Sequence, residues 1–258
     1  MAAKIDKKAI VDKKAEIDSN VIVGPYAIIG PAAKIGSGCI IDAFAQVVGN
    51  TTIGKNNHIF SYAALGNIPQ DLKYKGEESF LVIGSNNTIR EFVTMNLGTE
   101  NGSKTIIGNN NLIMAYSHIA HDCFVGNDNV LANCATLAGH VTIEDRVTVG
   151  GIVAIHQFCR LGTLSMIGGC SKVVQDVPPY SVSDGHPTVV RGLNLIGLRR
   201  ANFSQNTISA LKKAFKLLFF ENHPLTKAKE LVSKELASLK EVSYLLKFVS
   251  SSERGIGR

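Results

Sequence analysis

Aliphatic residues recur at every sixth position over most of the first 173 residues, and this period constrains the fold more than any other feature. Eleven follow one another without a break, at Ile5, Val11, Ile17, Val23, Ile29, Ile35, Ile41, Val47, Ile53, Ile59 and Leu65. The phase returns at 83, 89 and 95, and runs again from 107 to 173. A period of six matches neither the helical repeat nor strand alternation. It is typical of a hexapeptide solenoid.

A small residue usually stands four positions after each aliphatic one, as at Ala27, Cys39 and Ala45. Both side chains are expected to point inward, while glycine, asparagine and aspartate supply the turns between short strands. Three hexads would close one triangular coil of eighteen residues, and stacked coils would bury a continuous aliphatic column. Cys123 and Cys159 occupy the small inward position as well, so we interpret them as coil lining and not as reactive thiols.

The hexad phase breaks in two polar, turn-rich segments, residues 66–81 and 97–106. Both are predicted to be loops that protrude from the coil. Loops on a rigid scaffold often carry function, and the first concentrates Gln70, Asp71 and Lys73. For the second loop, a neutral insertion remains a plausible interpretation.

The period changes near the end of the chain. Residues 175–180 (QDVPPY) are expected to leave the coil, because proline cannot donate a ladder hydrogen bond. From about residue 191 the apolar spacing becomes helical, and residues 222–224 separate two helical stretches, with Thr226 as N-cap of the second. The sequence therefore predicts a solenoid over residues 1–190 and a small helical domain over residues 191–258.

Composition narrows the functional classes. The N-terminus is too charged for a signal peptide and no apolar run approaches the length of a membrane span, so a cytoplasmic protein is expected. The five cysteines show no CxxC pair, which argues against a disulfide framework or a zinc ribbon. A net charge of +6 favours acidic partners, among them nucleic acid, a nucleotide or an acidic carrier protein. A lysine-rich helical face at Lys212, Lys213 and Lys216 could meet an acidic protein or be solvated surface.

Three histidines are brought together by the repeat. Residues eighteen apart lie above one another, and His121, His140 and His156 fall within three residues of that spacing, with His118 and Gln157 nearby. Two interpretations compete. The imidazoles could bind zinc, or one could act as a general base, since the pKa of histidine lies close to working pH. The adjacent carboxylate in Ala-His-Asp (120–122) favours the base without deciding the matter.

Several motifs together resemble one enzyme family, the UDP-N-acetylglucosamine acyltransferases, which catalyse the first step of lipid A synthesis. The motifs are QDLKY (70–74), SHIAHDC (117–123), NCATLAGHV (133–141), GGIVAIHQFCRLG (150–162), GGCSKVVQDVPPY (168–180) and the terminal SSERGIGR. The resemblance covers essentially the whole chain. It implies a left-handed parallel β-helix with a small C-terminal α-helical domain, and a homotrimer with sites in the clefts between subunits.

The resemblance also implies roles for individual residues. His121 would be the general base that deprotonates the sugar 3-hydroxyl, which then attacks the thioester of a 3-hydroxyacyl acyl carrier protein. Asp122 would orient His121, and the backbone N–H of Gly139 would stabilise the oxyanion. The implied substrate-binding residues are Gln70, Asp71, Lys73, His118, His140, His156, Gln157, Asn194 and Arg200, and Gly169 resembles the position that sets acyl-chain length. Neither a cofactor, a metal ion nor nucleic acid is implied.

Three positions depart from the best-known members of that family. Asn96 stands where a histidine is often found, Ile196 where a glutamate contacts the ribose, and Ala201 where a second arginine follows. They leave open whether the acceptor carries a 3-hydroxyl or a 3-amino group. The sequence is also compatible with a coenzyme A-dependent acetyltransferase or a zinc-dependent hydratase of the same coil type.

Overall fold

Short parallel strands, most of them two residues long, lie where the hexads predict them. The computed structural model describes residues 2–258, and it folds as a left-handed parallel β-helix followed by helices, which confirms the predicted fold class. Strands of successive coils pair in register eighteen residues apart, as in the pair His118–Thr136. Three sheets form the three faces of the coil.

Each complete coil contributes one strand to each sheet. Sheet 1 contains Lys4–Ile5, Ile22–Val23, Ile40–Ile41, His58–Ile59, Thr88–Ile89, Leu112–Ile113, Val130–Leu131, Thr148–Val149, Met166–Ile167, Ser181–Gly185 and Thr188–Leu193. Sheet 2 contains Ile10–Val11, Ile28–Ile29, Gln46–Val47, Ala64–Asn67, Thr94–Asn96, His118–Ile119, Thr136–Leu137, Ala154–Ile155 and Lys172–Val173. Sheet 3 contains Glu16–Ile17, Lys34–Ile35, Thr51–Ile53, Phe80–Ile83, Lys104–Ile107, Phe124–Val125, Thr142–Ile143 and Arg160–Leu161.

The aliphatic residue of each hexad forms the core. From Val23 to Val173 these side chains are at most 2% exposed, and the small residues Ala27, Cys39 and Cys123 are buried beside them. Ile5 is 46% exposed because the first coil has no coil beneath it to cover its side chains. The hexad thus identifies the core of the solenoid, apart from its open end.

Four asparagines occupy the inward small position and form a buried row that the sequence pattern did not predict. They are Asn57, Asn87, Asn111 and Asn129, each at most 2% exposed. The Oδ1 atom of each accepts the backbone N–H of the next inward position, at 2.9 Å from Asn57 to Asn87 and again from Asn87 to Asn111. Each rung therefore pairs the buried side-chain oxygen of one coil with a backbone N–H of the next and fixes the stacking of the two coils.

An exposed row of stacked aromatic rings follows the corner between sheets 1 and 2. The rings of Tyr26, Phe44, Tyr62, Phe92 and Tyr116 have centroids 4.9–5.1 Å apart, and each is between 42% and 59% exposed. This row presents apolar surface along much of one edge of the coil.

The protruding loops are shorter than the sequence predicted. Irregular backbone is confined to residues 68–79 and 97–103, because Phe80–Ile83 and Lys104–Ile107 pair as parallel strands of sheet 3. The two loops leave the coil close together, and both reach toward the histidine cluster.

The prediction that residues 175–180 leave the coil was wrong. Val177 bridges Leu161, and Ser181–Gly185 pairs in parallel with Met166–Ile167, so the solenoid continues for part of another coil. The two prolines do not interrupt it because they lie at a corner between these paired segments.

The C-terminal segment consists of α1 (Leu195–Arg200), α2 (Gln205–Phe215), a π-helical turn (Lys216–Phe220), α3 (Leu225–Leu236) and α4 (Lys240–Ser250). The second predicted helical stretch is divided between α3 and α4, and Thr226 is not an N-cap, since α3 begins at Leu225 after Pro224. Apolar faces of these helices form a second core. No helix among the described residues combines the length and apolar character that a membrane crossing requires.

Candidate active site

His121 and Asp122 lie at the corner between sheets 2 and 3, immediately after the strand His118–Ile119. The Nδ1 atom of His121 lies 2.9 Å from Asp122 Oδ2, and both side chains are nearly buried. A carboxylate can only accept, so Nδ1 carries the proton and Nε2 is left with a free lone pair. His121 is therefore built to accept a proton through Nε2.

Asp122 is held by a loop whose importance the sequence did not reveal. Thr99 Oγ1 donates to Asp122 Oδ2 at 2.6 Å, and the Thr99 backbone N–H donates to Oδ1 at 3.2 Å. Burial acts to raise the pKa of Asp122, but hydrogen bonds from Thr99, His121 and Ser103 outweigh it and lower the pKa below its usual value. Asp122 is thus kept ionised. No spacing rule connects residue 99 to residue 122, so only the folded coil shows the contact.

Gly139 lies directly beneath the imidazole of His121, one coil further along. A Cβ atom at this position would fall 2.3 Å from His121 Cε1, so only glycine leaves room for the ring. The Gly139 carbonyl accepts from Phe158, while its N–H has no acceptor within residues 2–258. A free N–H donor therefore stands next to the His121 imidazole.

His118 is a neutral hydrogen-bonding group at the edge of the same cleft. Its Nδ1 lies 2.7 Å from the hydroxyl of Thr94, its neighbour in sheet 2. Burial lowers the pKa of His118, and the nearby His121 adds to that effect. A neutral imidazole here can hydrogen-bond a substrate without competing with His121 for a proton.

A cleft of about 680 Å³ opens over sheet 2 and gathers most of the residues that the resemblance implied. It is lined by Gln70, Asp71, Lys73, His118, His121, Gly139, His156 and Gln157, together with apolar groups of sheet 2. His140 lies beside this lining and not in it. Its Nε2 is 3.7 Å from Asp122 Oδ2, and its ring stacks on Phe158 with centroids 4.7 Å apart.

The loop 68–79 forms one wall of the cleft. Asp71 Oδ2 lies 3.8 Å from His121 Nε2, so a second carboxylate faces the atom that would accept a proton. At the base of the loop, buried Asn96 donates from Nδ2 to the Ile68 carbonyl at 3.0 Å. Asn96, at the position where a histidine is often found in the family, therefore anchors this loop.

Three other implied residues lie away from the cleft and from the His121–Asp122–His140 cluster. Asn194 caps α1, accepting from Gly197 N–H and donating to the Leu164 carbonyl, and Leu164 belongs to a second cavity at the corner between sheets 3 and 1. Arg200 is an exposed residue at the end of α1. Gly169 lies at the corner between sheets 1 and 2, where a Cβ would meet the Gly151 backbone, with the carbonyl oxygen at 3.3 Å. None of the three reaches His121 within its own chain.

The same cluster contains the ligand types of a metal site. Ligand atoms of His121, Asp122 and His140 all lie within 4.8 Å of one another, which is compatible with a metal ion. Both oxygens of Asp122, however, already accept hydrogen bonds, Oδ2 from Thr99 and His121 and Oδ1 from the Thr99 N–H. This arrangement favours acid–base chemistry over metal binding.

Comparison with known proteins agrees with this geometry. The family model described as "Udp N-acetylglucosamine O-acyltransferase; Domain 2" matches residues 176–257, and the model for bacterial transferase hexapeptide repeats matches residues 104–139. The acyl-[acyl-carrier-protein]–UDP-N-acetylglucosamine O-acyltransferase of Nautilia profundicola is 51% identical over 207 residues, which cover 80% of this chain and 79% of the relative. The enzyme of the same name from Aliarcobacter butzleri is 52% identical over 206 residues, 79% of this chain and 78% of the relative.

Solved structures extend the similarity to nearly the whole chain. LpxA from Acinetobacter baumannii superposes with a TM-score of 0.95 at 46% identity, covering 98% of this chain and 99% of that one. The UDP-N-acetylglucosamine acyltransferase from Campylobacter jejuni superposes with a TM-score of 0.92 at 41% identity, with the same coverage of each chain. By its sequence, its coil and its helical C-terminal segment, this chain belongs to the UDP-N-acetylglucosamine O-acyltransferase family.

Proposed function

We propose that this protein transfers an (R)-3-hydroxyacyl group from acyl carrier protein to the 3-hydroxyl of UDP-N-acetylglucosamine, in lipid A biosynthesis. The names of the relatives support the reaction. The observation that carries the mechanism is the orientation of His121, whose Nδ1 is bound to Asp122 while Nε2 faces a cleft next to the free N–H of Gly139.

In this mechanism His121 Nε2 removes the proton of the sugar 3-hydroxyl as the oxygen attacks the thioester carbonyl. Asp122 stabilises the imidazolium that forms, and the Gly139 N–H donates to the oxyanion of the tetrahedral intermediate. When the intermediate collapses, the C–S bond breaks and the imidazolium returns its proton to the thiolate. The products are the 3-O-acyl sugar nucleotide and the free thiol of the carrier protein.

The remaining cleft residues would hold the acceptor and the donor. Lys73 and His156 offer donors to the sugar diphosphate, Asp71 and His118 lie close enough to His121 to orient the sugar, and Gln70 would lie near the acyl chain. His140 and Gln157 complete the polar edge.

We propose that the active enzyme is a homotrimer whose sites lie between subunits. Asn194 and Arg200 lie away from the cleft of their own chain, so they would contact the nucleotide only from a neighbouring chain. The exposed aromatic row offers apolar surface for such packing. Each Å² of apolar surface that is buried between subunits would contribute about 25 cal/mol in favour of association.

The donor would be an acidic carrier protein bearing a long acyl chain. The net charge of +6 suits an acidic partner, and Lys212, Lys213 and Lys216 stand on the exposed face of α2 and the turn after it. Gly169 resembles the family position that sets acyl-chain length, and the absence of a side chain there suits a longer acyl chain. Substituting Gly169 by methionine should shift the preferred donor to a shorter chain, which competition between donors of different length would measure.

The first experiment measures acyl transfer from 3-hydroxyacyl carrier proteins to UDP-N-acetylglucosamine without added metal. His121→Ala should lower kcat by about 10²- to 10⁴-fold, the range of general acid–base catalysis. His223→Ala is the matched control, because His223 also contacts a carboxylate, Glu221 at 3.1 Å, but lies between α2 and α3. It should retain activity.

Further outcomes distinguish the competing functions. Product only with the 3-amino sugar nucleotide would make the chain an N-acyltransferase, and product with acetyl-coenzyme A would change the donor class. Loss of activity with a chelator, restored by zinc, would indicate a metal enzyme. Full activity of His121→Ala would refute the proposed base.

A further inference from the structure

The last eight residues fold back onto the final coil and pass beside the cleft at Arg254. Ser252 Oγ donates to Asp176 Oδ2 at 2.7 Å, and the Asp176 N–H donates to the Gly255 carbonyl at 2.8 Å. The Val190 N–H donates to the Gly257 carbonyl at 3.1 Å. Gly255 adopts φ of 73°, a conformation that other residues resist, so the chain can turn there. The tail is therefore fixed at several points.

Arg254 extends from this tail to the end of the cleft. Its Nη2 atom lies 3.3 Å from His156 Nδ1 and 3.2 Å from the Val174 carbonyl, and both His156 and Val174 line the cleft. The Arg254 side chain is partly buried, and its Nε is fully enclosed. The guanidinium is thus held against the Nδ1 edge of the His156 ring.

This contact restricts the protonation of His156. A guanidinium has donors and no acceptor, so a hydrogen bond from Arg254 requires a lone pair on Nδ1. The Gln157 carbonyl lies 3.2 Å from the same Nδ1 and would instead require a proton there. A proton on Nδ1 would leave two donors facing each other across the 3.3 Å contact, one of them charged. Hydrogen bonds from a charged donor are the stronger ones, so the Arg254 contact outweighs that to Gln157 and favours a ring proton on Nε2.

We propose that Arg254 is a positioning residue that keeps His156 in the Nε2–H form, so that His156 donates a hydrogen bond to an oxygen of the sugar nucleotide. The identity of that substrate rests on the proposed function. Without Arg254 the ring can donate from Nδ1 to the Gln157 carbonyl. Nε2 would then present a lone pair to the oxygens of a diphosphate, which also only accept.

Which ring nitrogen of His156 carries the proton can be measured by a method that does not depend on enzyme activity. In the full-length protein with labelled histidine, the His156 resonances are assigned by their loss in His156→Gln, and their carbon and nitrogen shifts distinguish the two neutral forms. We expect the Nε2–H form in the wild type and a shift toward Nδ1–H in Arg254→Met. An Nδ1–H form in the wild type would overturn the proposal, whether or not any variant folds poorly.

Kinetics tests the consequence for binding. Arg254→Met should raise KM for UDP-N-acetylglucosamine by about 10- to 100-fold, the range for a lost hydrogen bond to a charged group, with a much smaller change in kcat. Arg254→Lys, which keeps a charged donor, should recover most of the loss. Arg258→Met is the matched control, since Arg258 belongs to the same tail but donates to the His223 carbonyl, and its KM should be unchanged.

A double-mutant cycle separates positioning from direct binding or from simple anchoring of the tail. In a His156→Gln background, Arg254→Met should raise KM further by less than about twofold, because the imidazole that Arg254 positions is gone. A full additional effect in that background would overturn the proposal. An inactive wild type would refute the proposed function instead, and the resonance measurement would still decide the role of Arg254.

Discussion

Replacing Thr99 by valine removes one hydrogen bond from the Asp122 carboxylate, the proposed partner of the base, at nearly constant volume. The lost bond is the 2.6 Å contact from Thr99 Oγ1 to Asp122 Oδ2, whereas the backbone N–H contact to Oδ1 remains. A hydrogen bond to a charged group contributes about 1.5–3 kcal/mol, so we expect Thr99→Val to lower the free energy of unfolding by about that amount at neutral pH. Urea denaturation at equal protein concentration measures it.

The pH dependence of this effect has a defined sign. The folded-state pKa of Asp122 lies below its usual value, so the ionised carboxylate stabilises the protein fully above the unfolded pKa, and this contribution is lost as pH falls through the lower folded value. Thr99→Val raises the folded pKa toward the usual value. The difference in stability between variant and wild type should therefore be largest at neutral pH and shrink in acid.

Two effects on catalysis oppose each other in this variant. The Asp122 carboxylate becomes more basic, which would stabilise the protonated His121 ring more strongly. It is also free to rotate away from His121. Small displacements of a catalytic group cost up to about a hundredfold, so we expect misorientation to win and kcat to fall by about tenfold or more. The reaction rate can be measured from the release of the free carrier-protein thiol. Thr52→Val, exposed on the outer face of sheet 3, should change neither property. A faster Thr99→Val enzyme, or one of wild-type stability, would refute the assigned role.

Three further predictions follow from the packing. Gly139→Ala should abolish measurable acyl transfer while the chain still folds, because its Cβ would displace the His121 ring; activity in a well-folded variant would contradict this. Asn87→Ala removes a middle rung of the buried asparagine row and leaves the buried Asn111 N–H without its acceptor, whereas Asn57 still accepts from the backbone N–H of residue 87, so urea denaturation should show a loss of about 1–3 kcal/mol. Tyr62→Glu places a charge in the aromatic row and should favour monomers in sedimentation experiments; an intact trimer would place the subunit contact elsewhere.

The solenoid was predictable because every coil repeats the same inward positions, so eighteen-residue arithmetic locates both core and histidines. The arithmetic failed where a polar residue faces inward, as at Asn111, since nothing in the pattern distinguishes a buried asparagine from a turn residue. The prolines at 178 and 179 led to the wrong prediction that the chain leaves the coil there. A proline interrupts a strand but not a corner, and the sequence does not show that these two lie at a corner.

Contacts to the site from irregular segments could not be predicted. Thr99 reaches Asp122 across 23 residues of sequence, and Arg254 reaches His156 across 98. Both depend on how a loop or tail folds over the coil, for which the hexad carries no information. The positions of Asn194 and Arg200 outside their own chain's cleft were likewise visible only from the folded helices.

The asparagine row also has an evolutionary consequence. Asn57 and Asn87 are 30 residues apart and Asn87 and Asn111 are 24, yet they stack like neighbours separated by 18. The coil therefore resumes its register after each inserted loop, and changes in loop length or composition stay local. Natural variation or protein engineering could therefore exchange the loop at 68–79, which forms one wall of the cleft, and so alter acceptor or donor preference while the supporting coil remains unchanged. The loop at 97–103 is more constrained, because Thr99 holds Asp122.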